Sequence, residues 1–165
     1  MAVCVHEAGH AVAHLLYRIP MKHISVIPNT ETTGHVLSVD KRRDERLNQD
    51  WNERRSRDYA ERLIKCALAG GIAQKKYNPR TFRHFHSSLD WDNAISFATT
   101  NCGSLDEAIA WCNLLFIQAK QDLLLDRNWA AVMVLANTLK KEKQISSRRM
   151  RELFRKTTNL PSHSL

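Results

Sequence analysis

The run from Val3 to Leu16 is apolar at almost every position, yet it carries three histidines and a glutamate. Val3, Val5, Ala8, Ala11, Val12, Ala13, Leu15 and Leu16 surround them. A helix apolar on nearly all sides is one that folding buries. A buried polar side chain left without a partner costs on the order of 1–3 kcal/mol. The rest of the chain must therefore supply partners to this one helix. His6, His10 and His14 recur every fourth residue, which places them on one face.

His6-Glu7-Ala8-Gly9-His10 has the form His-Glu-x-x-His. Two imidazoles four residues apart on a helix can hold one metal ion, and the glutamate beside the first can reach a water on that ion. This is the donor set for hydrolysing an amide. Two histidines do not complete such a site, which takes three protein ligands and one open position. The metzincin pattern is excluded, because Ala13 and Leu16 stand where it needs Gly and His. His14 lies about 12 Å along the helix from His6, too far to share its ion, and reads as a core or supporting histidine. Glu61 is ringed by charged neighbours and reads as solvated. His84, His86, Asp90 and Asp92 remain as candidates.

The chain resembles the peptidase domain of the FtsH-type membrane proteases. The resemblance rests on His6 to Val12 and continues through Ile24-Ser25-Val26-Ile27-Pro28 and Thr33-Gly34-His35-Val36. Leu68-Ala69-Gly70-Gly71-Ile72-Ala73 is similar to that family's Leu-x-Gly-Gly-Arg-Ala-Ala-Glu helix. Ser87 to Ala94 sits where the family has the aspartate that is its third zinc ligand, and Asn128 to Phe154 follows its closing helices. The resemblance implies zinc as the metal, His6, His10 and Asp90 as ligands and Glu7 as general base, with Asp92 as the fallback ligand. It implies a mainly α fold with a small β-hairpin or sheet, and hydrolysis of unfolded or flexible polypeptide. Ile72 replaces the family's arginine and Gln74 its glutamate, which implies that the usual polar contacts of that helix are absent. The family's ATPase module and membrane helices have no counterpart here. The sequence has no Gly-rich phosphate loop and no run approaching the ~20 apolar residues of a membrane span. The chain thus reads as a free-standing, ATP-independent peptidase domain.

At 165 residues with 43% hydrophobic content, one domain is expected, spanning 1–156, with a disordered tail at 157–165. Cys4, Cys66, Cys102 and Cys112 show no Cys-x-x-Cys spacing and lie in apolar runs, as reduced thiols of a cytoplasmic protein do. The net charge of +8 is concentrated in Lys140 to Lys156, which holds eight Lys or Arg. With Phe154 as its one aromatic, that segment reads as a solvated helix, and nucleic acid is not expected as a partner.

The pattern predicts helices at Val3–Tyr17, Asp58–Lys76, Leu89–Thr100, Leu105–Leu125, Asn128–Glu142 and Arg148–Lys156. It predicts a hairpin from strands at His23–Ile27 and His35–Val39. Ile24, Ser25 and Val26 are candidate substrate-binding residues, if their strand is an edge that pairs with an extended peptide. The competing reading is a zinc-bearing interaction module without catalysis, contacting an acidic partner or nucleic acid through the basic helix. Self-association is compatible with either.

Overall fold

The structure, a computed structural model, describes residues 1–27, 35–38, 53–81 and 88–158. It is mainly helical with a small antiparallel sheet. The helices are α1 (Ala2–Leu16), α2 (Glu53–Tyr77), α3 (Ser88–Thr99), α4 (Leu105–Leu123), α5 (Asp126–Glu142) and α6 (Ser147–Thr158). The strands are β1 (Met21–Ser25), β2 (His35–Ser38) and β3 (Gln144–Ser146).

Helix α1 is central. It packs most extensively on α2, then on α5, and also touches the sheet. Val5, Ala8, Ala11 and Val12 are fully buried, as an apolar surround dictates. The packing on α2 is unusually close because Gly9 has no side chain. A Cβ there would stand 2.6 Å from the Ala73 Cβ and 2.7 Å from the Ala69 carbonyl oxygen. At the far end of α1, Tyr17 donates to Asp122 of α4 at 2.9 Å. Lys65 of α2 lies over the Tyr17 ring and pairs with Glu61 at 2.6 Å.

The sequence expectation for the sheet needs correction. In the sheet order β2-β1-β3, β1 is the middle strand. Ile24 pairs with Val36 on one side and Ile145 on the other, and Ser25 with His35 and Gln144. Val26 donates its N–H to the Lys143 carbonyl. Ile24, Ser25 and Val26 thus have no free edge to offer a peptide, and Ile24 and Ser25 are buried. Among the described residues the outer strands are β2 and β3. Helix α2 begins at Glu53 rather than Asp58. The expected tail loses Thr157 and Thr158 to α6, where Thr157 is buried; 159–165 lie outside the described residues. No described helix is long and apolar enough to cross a membrane.

A methyl group at position 9 must force α1 and α2 apart, since the nearest polar neighbour is backbone. Gly9→Ala is expected to destabilise the fold by about 1–3 kcal/mol, read from the urea midpoint at unchanged m-value.

Candidate metal centre

Residues of three helices and one carbonyl build the site. Helix α1 brings His6 and His10 side by side, their rings nearly perpendicular at 77° with centroids 4.7 Å apart. Their Nε2 atoms are 3.0 Å apart. Asp90 enters from the first turn of α3, with Oδ2 3.1 Å from His6 Nε2 and 3.5 Å from His10 Nε2. Among the described residues, these three form the one converging group of His, Cys, Asp or Glu side chains large enough for a metal ion.

The hydrogen-bonding roles fix which atoms carry protons. His10 Nδ1 lies 2.8 Å from the Cys66 carbonyl of α2, which can only accept. The proton of a neutral His10 is therefore on Nδ1, and Nε2 is a lone pair. His6 Nδ1 faces Gln74 Oε1 at 3.1 Å and is oriented the same way. Asp90 Oδ2 is buried, and while both imidazoles are neutral in this tautomer it receives no hydrogen bond. Three electron pairs thus point at one another in a mostly buried space, an arrangement that repels itself unless a cation lies among them.

The charges agree. Burial works against a charge on His10, but the Asp90 carboxylate outweighs it, helped by Glu7, and pushes the ring up to about 9. Burial alone would raise the Asp90 carboxyl. The facing His10 and His6 rings instead hold it well below the usual carboxylate range. Each group thus favours its charged form in the presence of the other. Ligand atoms on a tetrahedral zinc, at ~2.0–2.1 Å from it, stand about 3.3 Å from one another, close to the spacings here.

Gly70 opens the space for that charge. A Cβ on Gly70 would stand 2.3 Å from His10 Nε2 and 2.7 Å from His6 Nε2. It would fill the cradle the two rings share. The residues present therefore fit a zinc ion. Gly70 is interior to α2 and ends nothing.

Of the sequence candidates, the structure brings together His6, His10 and Asp90. Glu7 is buried next to them, and its charge is felt at His10. Asp92 is exposed and outside the cluster. Glu61 is engaged with Lys65. His84 and His86 lie outside the described residues. His14 is a core histidine: it is buried, with Nδ1 3.3 Å from the Ile19 carbonyl. Gln74 is a second correction. The departure from the resembled family implied lost polar contacts, yet Gln74 is buried and meets His6. Its signal in the sequence was a lone uncharged polar residue, four beyond Gly70, closing an apolar run. The chain matches no known protein-family model, and no curated protein is significantly similar to it.

Two outcomes test this geometry. Gly70→Ala should fold but lose stoichiometric zinc, measured by metal analysis after dialysis; Asp90→Ala should lose it too, and Asp92→Ala should keep it. His14 supplies a pH signature. Burial, with the His10 charge, lowers its pKa to about 4 from 6.5. The unfolded chain takes up this proton near pH 6.5 and the folded chain only near pH 4, so stability falls as pH drops through that window. The loss approaches ~3 kcal/mol. His14→Leu should remove that part of the acid slope in urea titrations between pH 7 and 4.

Proposed function

We propose that this chain is a zinc-dependent endopeptidase of the FtsH type, acting on unfolded or flexible polypeptide. The observation that carries the reading is the convergence of His6 Nε2, His10 Nε2 and Asp90 Oδ2, with Glu7 next in the chain to the first of them. Bound zinc would supply a Lewis acid that polarises the scissile carbonyl and acidifies a water.

The chain's own residues supply the rest. His6 and His10 are held in register by Gln74 and the Cys66 carbonyl, so ring orientation is set before any ligand arrives. Asp90 contributes the one negative ligand. Glu7 carries the proton: its carboxylate takes it from the attacking water and delivers it to the departing amide nitrogen, which leaves as an amine. The side chains of His6, His10 and Asp90 keep 13%, 11% and 20% of their surface exposed. Four unpaired cysteines support a cytoplasmic place of action. The basic α6 reads as a solvated helix in this proposal, with Glu152 engaging Arg149 and Lys156.

Glu7→Gln preserves shape and removes the proton acceptor. It should retain bound zinc and helical content while cleavage of casein falls by ~10²-fold or more. Equal cleavage by both proteins would sink the peptidase reading and leave a zinc-bearing interaction module.

A further inference from the structure

Helix α4 has two apolar faces. One, through Ala108, Trp111, Cys112, Leu115, Ala119 and Leu123, enters the core. The other faces solvent, with Ile109 36%, Leu114 52% and Ile117 54% exposed. From Ala108 to Ala119 there is no charged residue, in a chain that is 25% charged. A surface helix ordinarily carries its charges on this outer face.

The outer face has an order of its own. Asp106, Ile109, Asn113, Ile117 and Lys120 fall within an arc of about 80° on a helix, opposite the core face. The pattern is symmetric about Asn113. Isoleucines lie four residues to either side of it, and an acid and a base lie seven residues to either side. Asp106, Asn113 and Lys120 are all exposed.

We propose that this face is a self-association surface, on which α4 of a second copy packs antiparallel across a two-fold axis at Asn113. Turned end for end, the helix is its own complement. Asp106 of each copy then meets Lys120 of the other, Ile109 meets Ile117, and the two Asn113 side chains face each other across the axis. Such an interface is isologous, each contact occurring twice. The parallel arrangement is disfavoured, because it sets Asp106 against Asp106 and Lys120 against Lys120. A foreign helix would need the same mirrored pattern; this chain already has it.

The test is sedimentation velocity on the full chain at rising concentration, to about 100 μM. The wild type should shift from monomer toward dimer. Ile117→Arg should stay monomeric with unchanged circular dichroism, since the site is exposed. Asp106→Lys alone should weaken the dimer about tenfold, and Asp106→Lys with Lys120→Glu should restore it, because the swapped pair is again complementary. Asn113→Cys should form a reducible covalent dimer under mild oxidation. A wild type that stays monomeric overturns the proposal, as does a dimer indifferent to Ile117→Arg or to the charge swap, or one that Asn113→Cys fails to cross-link.

Discussion

The close approach of α1 and α2 is the constraint on which the rest of the structure depends. Two glycines permit it, one from each helix. Gly9 lets the α1 backbone settle against Ala69 and Ala73, and Gly70 leaves the space in front of His6 and His10. With the helices this near, side chains and carbonyls of α2 come within hydrogen-bond reach of the α1 rings. Cys66, Gly70 and Gln74 are four residues apart along α2, just as His6 and His10 are along α1. Two ladders of equal period run past each other, so Cys66 serves His10 and Gln74 serves His6. A shift of either helix by one residue would break both contacts at once, because each would present a different face.

That registry explains how a buried helix tolerates so many polar groups. Each imidazole has one nitrogen satisfied by α2, and the other is turned toward Asp90. The arrangement is complete as a scaffold and incomplete as an electrostatic object. Within the low-dielectric interior, three lone pairs at these distances repel far more strongly than they would in water. A proton on His10 relieves part of the repulsion, which is why Asp90 pushes that ring's proton affinity up despite burial. A divalent ion relieves more of it. A bound metal would therefore compete with a proton for the same electron pairs, and its uptake would release protons.

Much of this was legible in the sequence, and the rest was not, for identifiable reasons. The histidine pair announced itself through its spacing and its apolar surround. The six described α-helices followed from their periodicity, with ends displaced by a few residues. Asp90 was reached because it opens a helix after a loop and because the resembled family has an aspartate there. What escaped was what depends on distant chain. Strand β3 spans Gln144–Ser146 between two helices, too short to carry a pattern. It exists because Ile145 meets Ile24 across more than a hundred residues of sequence. Without it β1 reads as an edge, and Ile24, Ser25 and Val26 read as a peptide-binding strand. The role of Gln74 escaped in the same way, since its partner lies sixty-eight positions away.

The three histidines of α1 show how far a motif alone can go. They share a residue type, a helix and a spacing, and the sequence gives each the same local neighbourhood of valine, alanine and leucine. Their chemistry nevertheless divides. His6 and His10 face Asp90 and its negative charge, and His10 binds its proton more tightly than a free ring does. His14 is one turn further on, past the reach of Asp90. Its ring meets the Ile19 carbonyl and feels the His10 charge, so burial dominates and lowers its proton affinity. A third histidine at the same period could not have joined the cluster in any case, because a straight helix carries it about 6 Å further along with each step. Its service to the site is indirect. A neutral, buried ring at the end of the ladder anchors the last turn of α1 and adds no second positive charge beside His10.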